Sequence, residues 1–300
     1  MRTFVTGAGG FLGSHLVARL LVHGDAVAGT YPSGMAAPAG VEAYELDILD
    51  TAALHRAFHH FEPEIVVHLA GLAHVGASWQ HREEYFRVNV EGTERLVEAA
   101  AGRPVVLASS AEVYGPVPEA EQPIEESRPL APASPYAETK VAAEERVLAA
   151  GGRALRTFNL IGPGQSPSFA LPSFARQLAA IARGEAPPVL RVGNLSARRD
   201  FVHVADGVEA YRLVAERGEA GGVYNLASGE DCSIEEALAE LIALAGVPAE
   251  IEIDPERFRP ADVPLLVGNP ARLEALGWQR SRSRRQALEE LWRSVVGEVG

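Results

Sequence analysis

Of the 27 basic side chains in this 300-residue sequence only one is a lysine, Lys140, and it stands four residues after Tyr136 in the segment SPYAETK. Arginine is a rigid, permanently charged fork, whereas lysine carries a compact charge with three rotatable donors on a flexible stem. A chain that uses arginine nearly everywhere has kept an ammonium at one place, which points to chemistry a guanidinium does not perform. Residues four apart on a helix share a face, so Lys140 is expected beside Tyr136. A neighbouring cation favours the phenolate and lowers a tyrosine pKa from its usual ~10, which makes Tyr136 a candidate proton donor and acceptor. An isolated pair at this spacing is more often a solvated helix face, and other motifs must give this one its weight. SSAEVYG, residues 109–115, adds the hydroxyl of Ser110 and the carboxyl of Glu112.

These groups need a scaffold. Apolar runs at residues 3–6, 26–29, 43–46, 65–69, 105–108 and 155–158 read as short buried strands, and 11–23, 51–60, 85–100 and 135–150 read as the helices between them. That alternation predicts an α/β fold, a doubly wound parallel sheet of Rossmann type. Open sheets of this kind bind ligands beyond the carboxyl ends of their strands, where Ser110 and Glu112 fall. TGAGGFLGSHL joins the first run to the first helix and sets Gly7, Gly10 and Gly13 at the turn. Glycine permits the tight turn and close backbone approach, and the helix N-terminus then offers free N–H groups to a pyrophosphate. A glycine triplet alone is a weak signal; between a strand and a helix it is a strong one.

The spacing GxxGxxG, with the YxxxK pair, resembles the short-chain dehydrogenase/reductase superfamily, extended type. The resemblance implies that Gly7, Gly10, Phe11, Leu12, Gly13, Asp47, Ile48, Leu69, Ala70, Gly71, Asn89 and Ser109 hold a dinucleotide, together with Tyr136 and Lys140. It further implies that Ser110 bonds the reacting oxygen at a sugar C4, Tyr136 exchanges its proton, and Lys140 holds the nicotinamide ribose. In related dehydratases a glutamate at the position of Glu112 removes a C5 proton, a general-base role. The segment GTYPSG after the second run has no carboxylate to repel a 2′-phosphate and no arginine to attract one, so NADPH and NADH both remain open.

Prolines accumulate beyond residue 158, in GPGQSPS, LPSF and EAPPVL. Residues 1–158 are therefore expected to form the NAD(P)-binding domain, with a return segment near 201–227, and 159–300 a smaller nucleotide-sugar-binding region. The return consists of a helix over 204–216 and a strand over 223–226. RTFNLIGPGQSPSF (156–169), VGNLSARRDFVHVAD (192–206) and DPERFRPADVPLLVGN (254–269) are similar to the family's reductases of nucleotide-linked 4-keto-6-deoxy sugars. That similarity implies reduction of GDP-4-keto-6-deoxy-D-mannose to GDP-D-rhamnose, with Asn159, Arg199 and Arg259 on the diphosphate. Arginine's fork suits phosphate oxygens; Arg198 is assigned to surface ion pairing. Two residues depart from the pattern: Leu160 replaces a usual histidine, and His203 stands where aspartate is common. The second variant also resembles UDP-sugar 4-epimerases, so epimerase and GDP-mannose 4,6-dehydratase stay open as alternatives, as does a non-catalytic dinucleotide sensor.

Composition limits the partners. Hydrophobic content of 47% and charged content of 22% are those of a folded soluble protein. A net charge of -13 argues against nucleic acid and anionic membrane as partners. No apolar run approaches the ~18 residues of a membrane span, and the first strand candidate begins so early that no signal peptide is expected. One cysteine, Cys232, excludes an internal disulfide and reads as a small buried residue. A cytoplasmic location follows as the expectation, and the family resemblance implies a homodimer through the helices at 85–100 and 135–150. His55, His59 and His60 offer an i, i+4 pair without a third ligand, so no metal is expected. His74 borders the expected sugar pocket.

Overall fold

The computed structural model describes residues 1–257 and 263–297. Its larger layer is a seven-stranded sheet in the order β10-β6-β5-β4-β1-β2-β3, formed by β1 (Arg2–Thr6), β2 (Ala26–Thr30), β3 (Val41–Tyr44), β4 (Ile65–His68), β5 (Val105–Ser110), β6 (Arg153–Thr157) and β10 (Val223–Leu226). Every pairing is parallel. The order reverses between β1 and β4, and at such a switch point the loops diverge and leave a crevice.

Strand side chains alternate between faces, and both faces are covered. Val5 and Val67 pack with Leu16, Val17 and Leu20 of α1 (Phe11–His23) and with Val208 and Tyr211 of α8 (Val204–Arg217). Phe4 and Val66 on the other face meet Leu54 and Phe58 of α2 (Thr51–Phe61), Leu96 of α5 (Gly92–Ala100) and Val147 of α6 (Pro135–Ala149). Asp50 caps α2 by accepting from the Ala53 amide at 2.9 Å, and Ser134 caps α6 from Ala137 at 3.2 Å. Each cap stabilises its helix by about 1 kcal/mol.

Among the elements whose limits differ from those expected, two have a clear structural reason. The strand expected at 43–46 lies at Val41–Tyr44, because β2 ends at Thr30, opposite Tyr44, and leaves nothing to pair with beyond it. The helix expected over 85–100 begins earlier, as α4 (Arg82–Phe86), and runs through a π-helical turn at Arg87–Glu91 before α5. An extra residue in that turn directs Asn89 inward, a distortion common at functional sites.

The smaller lobe holds a sheet in the order β11-β9-β13, with β7 also paired to β9, from β7 (Asn159–Ile161), β9 (Arg198–His203), β11 (Asp231–Ser233) and β13 (Leu265–Leu266). A two-stranded pair, β8 (Val189–Val192) with β12 (Glu250–Ile253), lies beside it. α7 (Ala170–Ala182), α9 (Ile234–Ala245) and α11 (Arg284–Gly297) pack over these strands around Phe174, Leu178, Leu238 and Leu291. The short helices α3 (Val75–Ser78) and α10 (Ala271–Ala275) complete the described fold. Residues 201–203 pair with β7 in this lobe, and the chain returns to the larger layer from Val204 onward.

Candidate active site

β1 delivers the glycine turn to the switch point. Gly7 has φ +69°, and a Cβ there would lie 2.8 Å from the Ala70 amide nitrogen; a Cβ at Gly13 would collide with the Gly7 carbonyl oxygen. Loop and helix can approach this closely only without side chains. Gly10 is the N-cap of α1 and offers no side chain to the first turn, so the amides at Phe11 and Leu12 have no side-chain cap. A strand-end turn with close backbone and an uncapped helix N-terminus fits a pyrophosphate. Leu69 and Ala70 lie against this turn, their amides bonded to Thr6 O at 3.2 Å and Thr6 Oγ1 at 3.2 Å. Asp47 is exposed and accepts from the Leu49 amide at 2.9 Å, while Ile48 is buried against Gly92.

Ser110, Tyr136 and Lys140 converge at the end of β5. Lys140 Nζ donates to the Ala108 carbonyl at 2.9 Å, Ser109 Oγ donates to Glu144, and Tyr136 is hydrogen-bonded to Ser110. Three consecutive residues of β5 are thus bonded to three residues of α6 one turn apart, which fixes the helix in register on the strand. Glu112 follows in a 3₁₀ turn, its amide bonded to Ser110 Oγ at 3.2 Å.

The electrostatics differ from the expectation that Lys140 lowers the tyrosine. Burial pushes the Tyr136 phenol above its ordinary value; the Ser110 hydrogen bond opposes this, and the charge of Glu112 adds to it. Lys140 Nζ stands over the Tyr136 ring, 5.8 Å from its centroid. Burial lowers Lys140 itself to about 8, with Glu144 opposing. Charging either group in this low-dielectric pocket costs free energy, so tyrosine rests as the phenol and lysine lies close to its titration point.

Asn89 reaches the crevice through the π-turn. Its Oδ1 accepts from the Leu72 amide at 2.8 Å, and its Nδ2 donates to Leu72 O at 3.0 Å and Thr139 Oγ1 at 3.0 Å. The side chain therefore holds the loop at Gly71 and ties it to α6. Thr139 Oγ1 in turn donates to Tyr136 O at 2.7 Å. Behind it, Thr93 Oγ1 donates to Asn89 O at 2.6 Å, accepts from His68 Nε2 at 3.0 Å, and Thr6 Oγ1 donates to His68 Nδ1 at 2.7 Å. These partners leave His68 neutral with its proton on Nε2, and burial lowers its pKa to about 3.

Next to this cleft an open cavity of about 630 Å3 lies between the segment after β4 and the smaller lobe, lined among others by His74, Asn159, Gln165, Phe169, Arg199 and Arg257. Such a volume suits a ligand of nucleotide size. Asn159 Nδ2 donates to Asp200 O at 3.1 Å, and Arg199 Nη1 donates to Val263 O at 2.6 Å. Asn159 and Arg199, assigned to the diphosphate, therefore both line this cavity; Arg259 lies outside the described residues. Arg198 pairs with Asp231 and Glu236 at the surface. His203 is no site residue: its Nδ1 accepts from the Ala205 amide at 3.0 Å as the N-cap of α8, the task an aspartate performs at such a position. Leu160 packs against Gly207. His60 is bonded to Glu42 at 2.8 Å on the surface.

Sequence patterns missed Tyr85, whose ring meets Tyr136 edge-on with centroids 6.5 Å apart and whose hydroxyl donates to His74 O at 2.7 Å. They also missed the buried pair Glu144 and Arg156, although Glu144 lies one further turn along the Tyr136 and Lys140 face.

Fold, glycine turn and the Ser-Tyr-Lys cluster define a class, the dinucleotide-linked enzymes of the doubly wound α/β fold. The chain belongs to the NAD dependent epimerase/dehydratase family, whose model matches residues 3–227. It is 37% identical over 311 residues to the GDP-6-deoxy-D-mannose reductase of Pseudomonas aeruginosa, covering 99% of each chain. Among solved structures it resembles RMD from Pseudomonas aeruginosa complexed with NADPH, with TM-score 0.87 and 34% identity over 99% of this chain and 98% of that one. It also resembles the UDP-glucose 4-epimerase of Thermus thermophilus complexed with NAD, with TM-score 0.91 and 32% identity over 100% of both. No described helix is long and apolar enough to cross a membrane.

Proposed function

We propose that this protein is an NAD(P)H-dependent reductase of the C4 keto group of a nucleotide-linked 4-keto-6-deoxy sugar, with GDP-4-keto-6-deoxy-D-mannose as substrate and GDP-D-rhamnose as product. The observation that carries this is the convergence of Ser110, Tyr136 and Lys140 between the glycine turn and the cavity lined by Asn159 and Arg199. Full-length similarity to a reductase of that activity supports the substrate.

Gly7, Gly10 and Gly13, with the amides ahead of Phe11 and Leu12, hold the dinucleotide pyrophosphate, and Asp47 and Ile48 stand on the adenine side. Leu69, Ala70 and Gly71 border its middle, held in place by Asn89. A bound reduced nicotinamide supplies hydride to the keto carbon. Ser110 donates a hydrogen bond to the keto oxygen and so stabilises charge that develops there. Tyr136, a phenol at rest, gives its proton to that oxygen, and its own negative charge is then stabilised by the ammonium of Lys140. This is general acid catalysis, worth roughly 10²- to 10⁴-fold. Lys140 holds the nicotinamide ribose. Arg199 and Asn159 hold the diphosphate, together with Arg259. Glu112 stands close enough for its charge to act on Tyr136. The protein acts in the cytoplasm as a homodimer whose contact is the face made by the helical segments 85–100 and 135–150.

The test is to mix the protein with NADPH or NADH and GDP-4-keto-6-deoxy-D-mannose, follow the loss of reduced-nicotinamide absorbance and identify the sugar. Stoichiometric oxidation with GDP-D-rhamnose formed supports the reductase and reveals the preferred cofactor. Absence of net oxidation overturns it in favour of dehydration or epimerisation, both of which recycle their cofactor. Dinucleotide binding without turnover of any nucleotide sugar points to a sensor. Sedimentation at micromolar concentration tests the dimer, and a monomer would refute it.

A further inference from the structure

The least expected charges in the molecule lie beneath the Tyr136 and Lys140 face. Glu144 and Arg156 are both buried, with side chains 2% and 6% exposed. Arg156 donates to the two carboxylate oxygens at 2.8 to 3.2 Å, and its other arm donates to Tyr114 Oη at 3.0 Å and Glu126 O at 3.1 Å. Tyr114 is itself anchored on Asn225 Oδ1 at 2.7 Å. A buried ion pair is not needed for stability, because well-packed apolar residues do as well or better. Its placement therefore calls for another role. Glu144 is one helical turn beyond Lys140, and its remaining partner is Ser109, next in β5 to the residue that accepts from Lys140.

We propose that Glu144 is a positioning residue: clamped by Arg156 and Ser109, its carboxylate keeps the buried Lys140 in the ammonium form and in register with Tyr136. Burial alone drives a lysine toward the neutral amine. Among the described residues, the groups that face Lys140 include no other anion to oppose this. From β4 comes neutral His68, from β5 the Ala108 carbonyl, from the π-turn the amide of Asn89, and from α6 the Tyr136 phenol. Glu112 acts on Tyr136 and is not among the groups that set Lys140. The direction agrees with the electrostatics, since Glu144 raises Lys140 against burial.

The catalytic meaning of this inference rests on the proposed reductase chemistry, yet its test does not require turnover. Because Lys140 is the sole lysine, protein labelled with carbon-13 at lysine Cε gives one side-chain resonance whose shift reports Lys140 ionisation directly. In Glu144→Gln the titration midpoint is expected to fall by about one unit or more, while Glu144→Asp, which keeps the charge, stays near wild type. The basic limb of kcat should move down with it. Should the unpaired Arg156 prevent folding of Glu144→Gln, the double variant Glu144→Gln with Arg156→Gln leaves no buried lone charge and is expected to show the same fall. An unchanged midpoint in a folded variant that lacks the carboxylate overturns the proposal, whatever reaction the enzyme catalyses. A lowered midpoint in a protein that reduces no keto sugar would keep it and overturn the function instead.

Discussion

Over the seven-stranded sheet, the reactive side chains Ser110, Tyr136 and Lys140 come from one strand and one helix bonded turn by turn, whereas the cavity in the smaller lobe is walled by separated segments. These are residues 74–80, 159–174, 193–201, Ile234 and 256–257. Groups that must pass a proton have to be held within fractions of an ångström, and short-range hydrogen bonds to backbone achieve this. The cavity instead uses loops on a scaffold, the arrangement that lets one fold accept different nucleotide sugars. On the proposed reading, chemistry sits on the rigid layer and selectivity on the variable one.

If that division holds, substitutions in the two regions separate in kinetics. Tyr136→Phe removes the proton and nothing else, so turnover should fall about 10³-fold with dinucleotide affinity nearly unchanged. Fluorescence titration and steady-state rates on the same preparation decide this, and retained turnover would remove Tyr136 from its role. Lys140→Arg, which keeps charge but not shape, is expected to lose about 10²-fold in kcat.

The lysine also sets a pH dependence. Burial brings it to about 8, so the ammonium is present below that pH and turnover should decline as pH rises through it. Arginine cannot deprotonate in this range, so the residual activity of Lys140→Arg should show no such limb. A limb at the same pH in that variant would assign it to another group.

Arg199→Ala tests the cavity. It should raise KM for the nucleotide sugar about tenfold or more, the loss of a charged hydrogen bond, and leave dinucleotide affinity alone. A change confined to dinucleotide affinity would break the division between the two regions. The smallest effect on turnover is expected from Asp200→Asn. Asp200 is fully buried and accepts from Ser228 N and Oγ at 2.7 Å each, from Gly229 N at 2.9 Å and from Gly268 N at 3.3 Å. An amide would turn N–H groups toward some of these donors, at a cost of about 2 kcal/mol, or roughly 5 °C in Tm by calorimetry.

Much of the first region was legible in the residues because its signals are local. Gly7, Gly10 and Gly13 mark a turn by their types, and Tyr136 and Lys140 share a face by helical spacing alone. The alternation of apolar runs with helices likewise specifies the parallel layer, since both faces of each strand must be buried. What the spacing could not show is direction and burial. The resemblance assigned Asn89 to the dinucleotide, but only the π-turn reveals that its amide grips Leu72. Ser109 lies beside Ser110 in sequence, yet one hydroxyl serves Glu144 and the other Tyr136.

His203 illustrates the same limit. In the sequence it departed from a usual aspartate in a way that resembles UDP-sugar 4-epimerases, and in the fold it caps α8 through a neutral imidazole. The sequence by itself determined the parallel α/β layer, the glycine turn and the Tyr136 and Lys140 pair, because each depends on contacts within a few residues. Only the tertiary structure decided the cavity, the burial that raises Tyr136 and lowers Lys140, and the meeting of Glu144 with Arg156. Those depend on segments far apart in the chain being excluded from water together, and no local pattern records that exclusion.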